Sequence, residues 1–262
     1  MKGILAILLL ALCIACTDNV STTDNPSEQA NIFDAKAFYY PTEELLDGKV
    51  YEYVMLHEGE AFLSHYWHLQ SEKDEEGNMF LIWKRYNQYF QQDQYIKEWV
   101  IADGVITQEY KMMVLDSATQ QWNEYPNNVS QNVVFPFKPV LDSVMAYRFV
   151  CELKLPPDFL TSKLIRDRKF KETTSYSYQG EEVDAVVFNT IDLYDIENKD
   201  EGGFWNMTKQ VVEIYAEGIG LVRQEERTEG QPGMEVTVLN KIYTIDEFNA
   251  QKNAYNASIE KK

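Results

Sequence analysis

Three histidines, His57, His65 and His68, lie within twelve positions of one another. Converging imidazoles can hold zinc, but a zinc site needs three or four ligands around one point. His65 and His68 are three apart in a segment that reads as a strand, so they face opposite sides of it. His57 ends the preceding strand and could share a face with His65 across a hairpin, the one pair a metal could use. The simpler reading is polar positions among Tyr66, Trp67 and Leu69, and no metal is expected. Asp192, Asp195, Glu197, Asp200 and Glu201 crowd one strand end and its loop. Calcium favours clustered carboxylates, yet a calcium-binding EF-hand loop counted from Asp195 would need glycine where Asp200 stands. That cluster and the Glu72–Asn78 stretch read as solvated turns. Carboxylates are numerous enough for an acid–base pair, but no spacing marks two of them. Nucleophile elbows, phosphate-binding glycine loops, His-Glu-x-x-His and Cys-x-x-Cys are all missing from the sequence after residue 16. Cys151 falls in the alternation Tyr147, Phe149, Cys151, Leu153, Leu155, on the apolar face of a strand. It reads as packing, since a reactive thiol needs an electropositive, partly exposed place. No enzyme and no cofactor are expected.

One further cysteine carries a different chemistry. Met1-Lys2 is followed by an unbroken apolar run from Ile4 to Leu12 and then by Ile14-Ala15-Cys16. A basic start, a short apolar core and a small-residue junction make a secretory signal peptide, residues 1–15. The run is too short to span a bilayer, which takes about 20 apolar residues. A cysteine at the junction resembles a bacterial lipoprotein signal, in which Cys16 becomes the acylated first residue, bearing palmitate-type chains. The position three before it departs from the usual leucine, being Cys13. The competing reading is an ordinary cleaved signal and a free protein. Residues 16–31 are rich in Ser, Thr, Asp, Asn and Glu, a composition that cannot offset its ordering entropy. They read as a disordered tether reaching on the order of 20 Å. The sequence therefore places the protein in the cell envelope, held at Cys16, with the outer membrane the expected site, facing the periplasm or the outside.

Acidic residues outnumber basic ones 42 to 24, a net charge of −18. Nucleic acid is excluded as a partner, because phosphate contacts need clustered Lys and Arg. With Cys13 and Cys16 committed to the leader and the anchor, Cys151 is left alone and no intramolecular disulfide can form.

The elements that would position any site are strands. Tyr 17, Phe 13 and Trp 5 give a high aromatic content, and aromatics favour pleated, half-buried surfaces. Period-two segments predict strands over 49–56, 62–69, 79–90, 94–102, 105–115, 146–155, 167–179, 182–194, 204–215, 219–228 and 234–244. Strands this close in sequence run antiparallel. Asp103-Gly104 predicts a two-residue hairpin that sets Glu98 opposite Glu109. Gln179-Gly180-Glu181 predicts another turn. Ala216-Glu217-Gly218 predicts a three-residue loop that pairs Tyr215 with Ile219 and Lys209 with Glu225. Thr42 to Gly48 reads as one capped helical turn, and Asp246 as the cap of a short helix over Phe248 and Tyr255. Residues 125–139, with three prolines, read as a long connection. Residues 32–262 are then one β-rich domain, or two halves, 32–125 and 140–262, joined there. In the 79–90 strand Phe80, Ile82 and Tyr86 face one way and Met79, Leu81, Trp83 and Tyr89 the other. A strand apolar on both faces is packed centrally or lines a groove.

The segment Tyr215-Ala216-Glu217-Gly218-Ile219-Gly220-Leu221-Val222-Arg223 resembles a hairpin common in β-rich envelope lipoproteins, and Asp47-Gly48-Lys49-Val50-Tyr51 is similar to their opening strand. The resemblance implies a twisted antiparallel sheet curved around a helix or a ligand, as in Lol-type carriers, and assigns no functional residue beyond Cys16. The fold expected is all-β: antiparallel meander sheets forming a curved half-barrel or a sandwich, with minor helix. The function expected is non-catalytic binding of an apolar ligand or lipid at unassigned residues. The alternatives are an assembly partner of an envelope complex and a carboxylate-dependent hydrolase.

Overall fold

Period-two alternation runs through nearly the whole body, and the computed structural model turns it into thirteen strands. They are β1 Lys49–His57, β2 Glu60–Lys73, β3 Met79–Tyr86, β4 Gln92–Ile101, β5 Gly104–Leu115, β6 Trp122–Pro126, β7 Asn128–Pro136, β8 Tyr147–Leu155, β9 Leu160–Tyr178, β10 Glu181–Asn198, β11 Gly203–Ala216, β12 Gly220–Thr228 and β13 Glu235–Tyr243. One helix, α1 Ile245–Ile259, follows. The structure describes residues 32–259 except 58, 117, 118, 120, 142–145, 156–159 and 199–201. The signal peptide 1–15, Cys16 and the 16–31 tether lie outside the described residues.

Every ladder is antiparallel, and all but two join strands that are neighbours in sequence. One exception closes the ring: β13 pairs with β1, setting Val50 against Tyr243 and Leu56 against Val236. Strands β6 and β7 follow one another along the same edge of β5, from Leu115↔Trp122 to Gly104↔Pro136. They act as one bent strand, so the ring is a closed up-and-down barrel of twelve strands. This corrects the expected half-barrel or sandwich. Closure satisfies both sheet edges at once. The expected connection at 125–139 is also corrected, because it contains β7. Its prolines fall at strand ends, Pro126 closing β6 and Pro136 closing β7, where no ladder N–H is needed. Residues 31–262 make one unit, and the halves 32–125 and 140–262 do not separate.

The hairpins correct two registers. The β4–β5 turn is Ala102-Asp103, with Ile101 opposite Gly104 and Glu98 opposite Thr107; a bulge then pairs Lys97 with Glu109, opposite charges instead of like ones. Gly104 is needed for close approach, not for the turn: a Cβ there would lie 2.5 Å from the Phe135 carbonyl oxygen. Ala216 pairs with Gly220 and Tyr215 with Leu221, and Lys209 bridges Glu226 at 2.7 Å. The Gln179-Gly180 turn forms as expected, both residues having positive φ.

One end of the barrel is filled by the segment before β1. Phe33 and Ala35 donate backbone N–H groups to the Pro139 and Phe137 carbonyls at 3.1 and 2.8 Å. Short 3-10 turns at Lys36–Phe38 and Thr42–Leu45 then carry Phe38, Tyr39, Tyr40 and Leu45 into the ring. Pro41, not Thr42, precedes the second turn, and no side chain caps it. Phe135 is the hub, its ring centroid 5.2 Å from Tyr39, 5.2 Å from Phe188 and 4.9 Å from Tyr215. Tilted and edge contacts of this kind add about 0.5–1.5 kcal/mol each beyond burial. The lipoprotein-like hairpin is the receptor for this plug. Gly218 donates its N–H to the Ala37 carbonyl at 2.9 Å, and the Tyr40 ring lies against Gly220, where a Cβ would sit 2.5 Å from it.

Helix α1 lies outside the barrel, against β1 and β13. Phe248 packs on Tyr66, Tyr86 and Phe90. The helix is capped by Thr244, not Asp246: Glu247 N–H reaches Thr244 Oγ1 at 3.2 Å, and Thr244 N–H reaches Glu247 Oε2 at 2.8 Å. That reciprocal pair is a capping box. The sheet is thus curved round its own lumen and not round the helix. No helix among the described residues is long and apolar enough to cross a membrane. The outer wall carries charge, including Arg148 and Asp167, paired at 2.6 Å.

Candidate functional site

Eight strands make a ring that side chains can fill, while wider rings leave a lumen. Here twelve strands enclose a cavity of about 630 Å³ above the plug. Its floor is Tyr39, Tyr40, Tyr53 and Tyr215; its walls include Trp67, Trp83, Ile96, Tyr110 and Leu164; Asn87, Gln88 and Tyr89 of the β3–β4 turn line its other end. Tyr89 is half exposed, so the cavity reaches the surface there. That turn is held by Asn87 Oδ1, which accepts the N–H groups of Tyr89 at 2.9 Å and Gln91 at 3.1 Å. Phe90 takes a left-handed φ of 58°, and its ring is anchored on Tyr66 at 5.0 Å.

The polar side chains of the lumen come from the alternate positions of β3, β4, β9, β10 and β11. Arg85 grips Asp93 through Nε at 2.8 Å and Nη2 at 3.1 Å. Arg166 grips Asp192 at 2.8 and 2.7 Å. Arg168 grips Glu213 at 2.7 and 2.9 Å, and Thr190 adds a hydroxyl donor at 3.1 Å. Burial pushes the Glu213 carboxyl up, but Arg168 and Arg166 outweigh it and hold Glu213 below the usual carboxylate range. Bidentate pairing of this kind fixes geometry as well as charge.

Glu98 differs from these. It is 3% exposed, and Tyr39 Oη and Trp83 Nε1 both donate to its Oε2, the latter at 2.7 Å. Burial raises its pKa to about 7, more than those two bonds and the field of Arg168 can lower it. The tyrosines of the floor stay neutral, Tyr39, Tyr40 and Tyr53 all being pushed up chiefly by burial. Tyr40 and Tyr53 hydroxyls meet at 3.1 Å, and Tyr53 donates to the Leu221 carbonyl at 2.8 Å.

His65 and His68 do face opposite sides of β2. His65 lines the lumen, stacked on Tyr53 at 5.6 Å, and burial with the nearby Arg85 lowers its pKa to about 4. His68 lies beneath Gly48, its Nε2 3.0 Å from where a Cβ would be. His57 sits at the exposed end of β1. Among the described residues no three His, Cys, Asp or Glu side chains converge on a metal position. Cys151 is fully buried, its thiol pushed up to about 12 by burial first and Glu152 second. The Glu72–Asn78 turn is solvated as expected, Asp74 Oδ1 accepting from Glu76 at 3.0 Å and Asn78 at 2.8 Å. Asp192 corrects its assignment to a solvated turn: it is 1% exposed and buried against Arg166, which lines the lumen. Strand β3 both packs and lines: Leu81 joins the core, Trp83 and Arg85 enter the lumen.

Arg85, Arg166, Arg168 and Glu213 were not singled out by sequence, and Glu98 was noted only for its place opposite Glu109 in a hairpin. One signal existed. Strand β9 carries charge on both faces, with Arg166 and Arg168 alternating with Asp167 and Lys169, which fits a strand with water or ligand on each side better than one covering a dry core.

No family model matches the chain, and no curated protein matches it. Two solved structures do. One is a candidate lipoprotein from Parabacteroides distasonis, 14% identical, with 78% of this chain and 97% of that one covered and a TM-score of 0.49. The other is a candidate exported protein with a YmcC-like fold from Bacteroides fragilis, also 14% identical, covering 78% and 98% with a TM-score of 0.47.

Proposed function

We propose that this chain is a lipid-anchored protein of the bacterial cell envelope, attached at Cys16 to the outer membrane, that holds a small amphipathic ligand in its barrel without transforming it. The supporting observation is the lumen of about 630 Å³, within the range of small-molecule sites. Aromatic walls supply apolar surface, and fixed polar groups supply orientation. The arginine–carboxylate pairs support binding over chemistry, because Asp93, Asp192 and Glu213 are each committed to a guanidinium. A carboxylate-dependent hydrolase has one group in its favour, Glu98. Its histidine candidate, His65, is pushed down by burial first and Arg85 second, which keeps the imidazole neutral beside a guanidinium. An assembly role has exposed Phe62, Phe204 and Trp205 in its favour.

Native mass spectrometry of the mature protein purified from its own host tests the reading. The expected result is a bound small molecule whose occupancy falls in Leu63→Trp and Leu164→Trp, two wall positions. An apo mass alone, or a bound mass unchanged by both substitutions, refutes it.

A further inference from the structure

We propose that the ligand of the lumen carries a cationic amine, which docks on Glu98 beside the rings of Trp83 and Tyr40. This rests on the lumen being the ligand site. The argument is one of charge balance. Four carboxylates line the cavity: Asp93, Glu98, Glu213 and Glu226. Three have cations of their own, Arg85, Arg168 and Lys209. Glu98 has none in contact. The cations of the lining, Arg85, Arg166 and Arg168, are in turn each taken by a carboxylate. An anionic headgroup entering the lumen therefore meets no free positive partner, while a cationic one meets Glu98.

The surroundings of Glu98 suit a cation. Both protein donors fall on Oε2, which leaves Oε1 for a ligand. Trp83 lies 4.7 Å from Tyr40 and 5.3 Å from Trp67, centroid to centroid, both edge-on. Aromatic faces attract ammonium groups, most strongly where water is excluded. A buried carboxylate without a counter-charge is costly, and a ligand ammonium supplies one. The apolar remainder of the ligand would run past Ile96, Met55 and Leu164 of the wall.

Three probes of one chain length separate the possibilities: decylamine, decanol and decanoate, followed by quenching of tryptophan fluorescence. The pH is held above the value of about 7 at which Glu98 loses its proton. Decylamine is expected to bind about ten-fold or more tightly than decanol, with decanoate weakest. Glu98→Gln is expected to remove the advantage of the amine over decanol. Thr107→Lys sets an ammonium opposite Glu98 and is expected to remove the same advantage. Equal binding of amine and alcohol by the native protein, tighter binding of decanoate, or an advantage that survives both substitutions overturns the amine assignment and leaves the lumen as a ligand site. Failure of all three probes to bind removes the lumen reading as well.

Discussion

Glu98→Gln is also a test of the electrostatics of the lumen without any ligand. Glutamine keeps an acceptor for Tyr39 and Trp83 but cannot ionise. Glu98 has a folded-state pKa of about 7 against an ordinary 4.5, so between these values the folded chain binds more protons than the unfolded one. Stability from this group is then full below 4.5 and is lost as pH rises to 7. A shift of that size is worth about 3 kcal/mol at 1.36 kcal/mol per unit. His65 and His68 contribute the opposite slope: their folded values of about 4 lie below the usual 6.5, so their stability is present above 6.5 and is lost as pH falls toward 4. These slopes oppose that of Glu98 in the native protein, and only the difference between native and variant isolates Glu98. Urea unfolding followed by tryptophan fluorescence across this range measures it. The variant should gain about 3 kcal/mol relative to the native protein between acid and neutral pH. Parallel stability curves, or a relative loss, would refute the assignment of Glu98 as a carboxyl strained by burial.

Three further outcomes are expected. Arg168→Met leaves Glu213 buried without its cation and should cost about 3–5 kcal/mol, while adding Glu213→Gln should recover a large part of it in the same unfolding assay. Gly220→Ala should loosen the plug, because the position has φ of 100° and a Cβ would press on the Tyr40 ring; a loss of more than about 1 kcal/mol together with faster limited proteolysis before β1 is the signature, and an unchanged protein would discount the plug contact. Cys16→Ser should release the protein from the membrane fraction on cell fractionation, and continued co-sedimentation would end the anchoring proposal.

Local chemistry was readable in the sequence. Alternation of large and polar residues located eleven of the thirteen strands, since a half-buried strand writes its two faces into every second position. The Gln179-Gly180 turn was readable because positive φ restricts residue choice. Strands β6 and β7 escaped because Pro126, Pro136 and two asparagines look like loop, and only the partner strand shows that the prolines sit where no ladder bond is lost. The lipoprotein-like hairpin was visible as a pattern, but its glycines had no reason until Ala37 and Tyr40 were seen resting on them.

The sequence by itself determined that this chain is an antiparallel, strand-built body, because backbone preference is encoded in runs of a few residues. The tertiary structure alone decided that the sheet closes, since the β1–β13 ladder joins residues at opposite ends of the body and carries no local mark. Closure in turn decided what the polar alternate positions mean. On an open sheet Arg166, Arg168 and Glu98 would face solvent; in a ring of twelve strands they face one another across a cavity, where each charge must find a partner or wait for one.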